Sequence, residues 1–172
     1  MRILGIDPGL RKTGFGMIEI VSNQPLYIVS GVIATESKDS LPNRLKTILN
    51  GINEIITEYS PQIASVEKVF VNVNPQSTLL LGQARGVAIA SCVLNNLEVS
   101  EYTALQIKKS VAGYGHAEKT QIAKMVKYLL NLNGMPQADA ADALAVSLTH
   151  AHYAKLSSIF KMNIARGGRF KA

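Results

Sequence analysis

The chain has one cysteine, no tryptophan and few aromatic residues of any kind, 6% of 172. The lone Cys92 excludes an intramolecular disulfide and a cysteine-built zinc site, and it suits a reducing compartment. Charged residues are scarce as well, 17% against 47% hydrophobic, which excludes a disordered chain. No secretory leader is expected, because the apolar run from Met1 to Asp7 is short and no cleavage site follows it. The longest apolar stretch, Leu79 to Leu97, is interrupted by Gln83 and Arg85 and makes a poor membrane span. A cytoplasmic protein with no membrane attachment is expected. Repeats and low-complexity segments are also missing, so the length fits one domain that buries its own core.

Positive charge, by contrast, is in excess. Eighteen Lys and Arg face twelve Asp and Glu, for a net charge of +6, a sign that suits a polyanionic partner. The excess sits at the C-terminal end, where Lys155, Lys161, Arg166, Arg169 and Lys171 occur with no acid among them. Residues 1–158 are therefore read as the folded domain and 159–172 as a basic tail.

Periodicity assigns the elements. Residues 2–7 form an apolar strand that ends at Asp7, where Pro8-Gly9 imposes a turn. Residues 14–21 and 26–35 are rich in Ile, Val and Tyr and complete a three-strand antiparallel meander. Leu41, Leu45, Ile48, Leu49, Ile52, Ile55 and Ile56 lie on one face of a helix that stops near Ser60-Pro61. Residues 62–67 form a strand, and coming after a helix it lies parallel to an earlier one. A helix over 76–95, a short strand at 99–102, helices at 103–112 and 117–131, and a last helix over 136–157 follow, with Pro136 in its first turn. The pattern is α/β: a mixed five-stranded sheet flanked by helices.

Four acids carry chemical interest. Asp7 and Glu67 end strands, where open α/β sheets present their ligand sites. Asp139 and Asp142 are three residues apart and point the same way from the last helix. Their neighbours are Ala138, Ala140, Ala141, Ala143 and Ala145. Two acids on such a closely packing helix are costly unless a cation compensates them, and hard divalent cations take oxygen ligands. Singly, each acid has an ordinary alternative: Asp7 as a turn former, Glu67 as a partner of Lys68 or Arg85, Asp139 as a helix-dipole residue. His116, His150 and His152 are not metal candidates, the last two being too closely spaced to face each other on a helix.

In order along the chain, Ile-Leu-Gly-Ile-Asp-Pro-Gly (3–9), Thr-Gly-Phe-Gly (13–16), Val-Glu-Lys-Val-Phe (66–70), Leu-Gly-Gln-Ala-Arg-Gly-Val-Ala (81–88), Gly-His-Ala-Glu-Lys (115–119) and Gln-Ala-Asp-Ala-Ala-Asp-Ala-Leu-Ala (137–145) resemble the RuvC-type Holliday junction resolvases. The resemblance covers nearly the whole chain. It implies a ribonuclease H-like fold, a homodimer, and paired symmetric nicking of four-way DNA junctions in recombination and repair. Asp7, Glu67, Asp139 and Asp142 fall on the family's catalytic and metal-binding acids, which implies two Mg²⁺ ions per site, with Mn²⁺ a possible substitute. Some relatives carry His at the position of Asp139. Lys119 and Lys108 match family lysines near the scissile phosphate, and Arg11, Lys12, Lys68 and Lys109 are further phosphate contacts. Phe70 matches an aromatic that stacks on a base at the crossover. Gly82, Gly86 and Ala90 lie on a helix used for dimerisation. A RuvA/RuvB-type branch-migration complex is the implied partner.

Two other readings stand beside this one. An actin-like or sugar-kinase-like ATPase also presents an Asp, a Gly and a hydroxyl residue to phosphate, as Asp7, Gly9 and Thr13 could. A non-catalytic junction-binding subunit is the other, although four carboxylates gain nothing for a pure binder of a polyanion.

Overall fold

The chain begins with β1 (Arg2–Asp7), β2 (Lys12–Val21) and β3 (Gln24–Ala34), then α1 (Leu41–Tyr59) and β4 (Ile63–Lys68). It continues through α2 (Pro75–Leu94), β5 (Glu98–Thr103), α3 (Ala104–Ala112), α4 (Lys119–Leu129) and α5 (Ala138–Gly167). The computed structural model describes residues 1–69 and 74–167, with side chains described as far as 157.

The five strands form one sheet in the order β3-β2-β1-β4-β5. β1 to β3 are the antiparallel meander, while β4 pairs parallel with both β1 and β5. The expected mixed α/β sheet is present. Two boundaries differ from expectation. α5 starts at Ala138, leaving Pro136 in the preceding coil, and it runs on to Gly167, into the stretch assigned above to the tail.

Alternation along the strands divides the core in two. Leu4, Ile6, Met17, Ala64 and Val66 face α1 and α2, where Ile48, Ile52, Ala84, Ala88 and Cys92 meet them. Burial there pushes the Cys92 thiol up to about 12, so it stays protonated. Ile3, Ile18 and Tyr102 face the other way, toward Ile107, Val111, Ile122, Val126, Leu144 and Leu148 of α3, α4 and α5. Each fully buried Ile or Leu contributes about 1.5–3 kcal/mol.

α5 lies directly on the sheet because glycines clear a bed for it. A Cβ at Gly5 would run into the carbonyl of Ala143 and the amide of Ser147, and one at Gly14 into the carbonyl of Asp139. The small residues of α5 serve the same approach: Ala140, Ala141, Ala143 and Ala145 are all buried.

By length and composition α2 could cross a membrane. In this fold its inner face, Ala84, Ala88, Ser91 and Cys92, is buried in the domain, while Leu79, Val93 and Leu94 of the same helix are exposed.

Candidate active site

The register puts the two strand-end acids side by side. Ile6 of β1 pairs with Val66 of β4, and both fill the α1/α2 core. The next residues, Asp7 and Glu67, therefore turn to the opposite face, under α5. Asp7 also pairs with Gly14, the residue on which the Asp139 carbonyl rests. The bed of glycines thus sets Asp139 over the end of β1, and Asp142 follows one helical turn on.

The electrostatics record this convergence. The Asp7 carboxyl is pushed up to about 7 by burial first, then by the charges of Glu67, Asp142 and Asp139. Glu67 is raised by burial and by Asp142, while a hydrogen bond from Asp7 and the charge of Lys119 oppose the rise. These acids repel one another in a poorly solvated place. Among the described residues, no group of three or more Asp, Glu, His or Cys side chains is close enough to hold a metal ion.

Lys119 is the cation of the group. Its ammonium donates to Oδ2 of Asp142 at 2.9 Å, and this bond and charge hold its pKa above the usual lysine value. Local structure fixes its place: Ala117 is buried, and the Gln121 side chain accepts from the Glu118 amide at 2.8 Å, which locks the start of α4 at Lys119. A lysine at a helix N-terminus opposes the helix dipole, so Asp142 offsets an otherwise unfavourable position.

The acids stand between two clefts. One, of about 220 Å³, is lined by Glu67, Asp142, Lys119 and Lys108 over Ile107 and Ile122. The other, of about 640 Å³, is lined by Gly9, Arg11, Lys12, Thr35, Ser37 and Asp139, and the Lys12 ammonium is 4.0 Å from Asp139. Lys108, Arg11 and Lys12 therefore flank the site. Lys109 lies on another side of α3, in a cavity with Ser110, His152, Tyr153 and Leu156, and Lys68 is exposed at the end of β4. Phe70 lies outside the described residues.

Two arginines were not singled out from the sequence as site residues. Arg44 of α1 donates to Thr35 Oγ1 at 3.0 Å and to the Leu10 carbonyl at 3.2 Å, bracing the turn that carries Arg11 and Lys12. Arg85 donates to the backbone carbonyl of Glu67 at 3.2 Å. Its carboxylate partner is Glu101, not Glu67. Neither is visible in periodicity, since each contact bridges separate elements. Two of the three histidines are held by ordinary bonds, His150 to the Tyr102 hydroxyl at 3.0 Å and His152 to Ser110 at 2.9 Å.

Gly82, Gly86 and Ala90 all face away from the sheet. A Cβ at either glycine would meet nothing within 4 Å, so packing inside this chain does not account for them.

A mixed sheet in this order, with acids at the ends of two adjacent parallel strands and a pair on the helix laid across them, defines a ribonuclease H-like nuclease. The profile described as crossover junction endodeoxyribonuclease RuvC matches residues 3–150. Bacterial proteins of that description are similar over most of their length: that of Dechloromonas aromatica is 62% identical over 151 residues, 88% of this chain and 84% of the relative. The protein of Albidiferax ferrireducens is 54% identical, covering 100% of this chain and 98% of the relative. Among solved structures, Thermus thermophilus RuvC in complex with a Holliday junction substrate superposes with a TM-score of 0.86 at 30% identity, over 91% of this chain and 96% of that one. The chain belongs to the RuvC family of crossover junction endodeoxyribonucleases.

Proposed function

We propose that this protein resolves four-way DNA junctions in recombination and repair, nicking two strands of like polarity at symmetric places and leaving 5′ phosphate and 3′ hydroxyl ends. The observation that carries the reading is the gathering of Asp7, Glu67, Asp139 and Asp142 under the start of α5, with Lys119 bonded to one of them. The likeness to a relative solved on a Holliday junction supports the substrate.

The residues fit a hard divalent cation. All four side chains offer oxygen ligands, and the rise of Asp7 to about 7 marks an anionic cluster that a cation relieves. Asp7, Glu67, Asp139 and Asp142 would hold two Mg²⁺ ions, with Mn²⁺ able to replace them. Bound there, the ions supply a water of lowered pKa and neutralise charge at the departing 3′ oxygen. The remaining work falls to the chain itself. Lys119, whose side chain is 83% exposed beside Asp142, reaches the scissile phosphate and offsets charge developing there. Arg11, Lys12, Lys108, Lys109 and Lys68 contact phosphates and fix the register of the DNA. Phe70, three residues past Glu67, stacks on an unpaired base, worth about 1–3 kcal/mol.

The test of the chemistry is metal replacement with end analysis. Cutting requires added Mg²⁺ or Mn²⁺ and stops with chelator, and the products are ligatable; metal-independent cutting or 3′ phosphate ends would overturn the reading. Lys119→Met is expected to lower the single-turnover rate by about 10²- to 10³-fold with junction affinity changed only a few-fold. A rate within twofold of wild type removes Lys119 from the chemistry.

The kinase-like alternative loses its hydroxyl. Thr13 is fully buried, and its Oγ1 donates to the Gly9 carbonyl at 2.8 Å, so it is turned into the hairpin rather than offered to a nucleotide. A non-catalytic subunit has no use for a buried anionic cluster that raises the cost of folding.

The exposed face of α2, with Gly82, Gly86 and Ala90 beside Leu79, Val93 and Leu94, is proposed as the homodimer interface, since paired nicks need two sites. Gly86→Arg should give a monomer by light scattering with an unchanged circular dichroism spectrum. A variant that remains dimeric places the interface elsewhere. A RuvA/RuvB-type branch-migration complex in the bacterial cytoplasm is the partner that this activity would serve.

A further inference from the structure

We infer that Arg85 is a positioning residue for the nuclease reaction: it ties the end of β4 to α2 and so fixes where Glu67 presents its carboxylate. This rests on the reading of Glu67 as a metal-holding acid.

Glu67 is the last residue but one of β4, and the β1 side of the strand is paired only as far as Val66. On the other side β5 pairs with it through Tyr102. A side chain at a strand end that is laddered on one edge follows small rotations of its own peptide. Arg85 removes that freedom. Its Nε donates to the Glu67 carbonyl at 3.2 Å, and Nη2 of the same guanidinium is paired with the Glu101 carboxylate. Glu101 sits opposite Val66 in the register, so the brace spans β4 and β5 one residue before the site.

The direction of the contact matters. Arg85 comes from α2, on the face filled by Ala64 and Val66, whereas the Glu67 carboxylate turns under α5. The guanidinium holds the backbone from behind and stays out of the carboxylate cluster. A planar fork that bonds a carbonyl through Nε and a carboxylate through Nη2 is chemistry that lysine cannot reproduce. The side chain is only 24% exposed, so water competes weakly for these bonds.

The experiment compares Arg85→Met, Arg85→Lys, Glu101→Gln and Glu67→Gln. The measurements are calorimetric binding of Ca²⁺ as a non-cutting probe, single-turnover cutting in Mg²⁺, junction affinity in chelator, and melting temperature. Arg85→Met should weaken Ca²⁺ binding and slow cutting by about 10- to 100-fold, with junction affinity in chelator within a factor of about two. Arg85→Lys should recover only part of the loss, and Glu101→Gln should move the same two quantities by less. Ca²⁺ binding and cutting at wild-type levels in Arg85→Met overturn the proposal. So does a fall in melting temperature and junction affinity together while Glu101→Gln binds Ca²⁺ normally, since that describes a brace for the fold alone. If Glu67→Gln itself binds Ca²⁺ and cuts normally, the reading of Glu67 fails instead, and the two failures are distinct.

Discussion

Asp7→Asn abolishes strand cutting and at the same time makes the metal-free protein more resistant to heat. Both effects follow from one carboxyl. Asp7 lies where burial and three neighbouring acids push its pKa from 3.8 to about 7, so its charged form is costly in the fold and free in the unfolded chain. The native state therefore holds this proton more tightly, and stability falls as pH rises from the unfolded value through about 7. At about pH 8 the amide removes a penalty on the order of 4 kcal/mol, which raises the melting temperature by roughly 8–16 °C for a chain of this size. At about pH 3 the wild-type carboxyl is mostly protonated in both states and the advantage shrinks toward zero. Divalent metal should narrow the gap at high pH, because the wild type gains a ligand that the variant binds poorly. Cutting should drop by at least about 10³-fold, while junction binding in chelator stays intact. Scanning calorimetry at the two pH values and single-turnover cutting check the pair of outcomes. A variant that loses junction binding along with cutting would make Asp7 a structural residue.

Gly5→Ala should cost more than its single methyl suggests. The added Cβ would strike the Ala143 carbonyl and the Ser147 amide, both backbone atoms of α5. Neither can turn aside as a side chain could, so the helix must lift from the sheet. Overpacking against backbone is expected to cost about 3 kcal/mol or more, a fall of roughly 6–12 °C in melting temperature. Because Asp139 and Asp142 ride on the same helix, cutting at permissive temperature should fall as well. Gly134→Ala is the control. A Cβ there meets nothing within 4 Å, and alanine in a compatible backbone gains up to about 1 kcal/mol over glycine, so an unchanged or higher melting temperature is expected. A Gly5→Ala protein that melts with the wild type would mean that α5 is not seated as described.

How much of this was legible in the sequence depended on whether the signal was local. The meander and the α1 stripe from Leu41 to Ile56 were readable because strand and helix periods are written into neighbouring residues. The neighbourhood of Asp7 and Glu67 followed from a crossover rule and the position of each at a strand end. The close seat of α5 was half visible: its run of alanines announced a near neighbour, but only the structure identifies Gly5 and Gly14 as the other half of that contact. Arg85 and Arg44 were hidden because each acts through a backbone carbonyl on another element, and a carbonyl has no letter in the sequence. The start of α5 was placed too early because Pro136 suits a first helical turn equally well as a coil just before one.

The most direct test of the central claim uses a synthetic four-way junction labelled on each strand, incubated with the protein and Mg²⁺ beside duplex and single-stranded controls. The account predicts nicks in two strands of like polarity at symmetric positions, with little cutting of either control. Equal cutting of all three substrates, or no paired nicks in the junction, would contradict it.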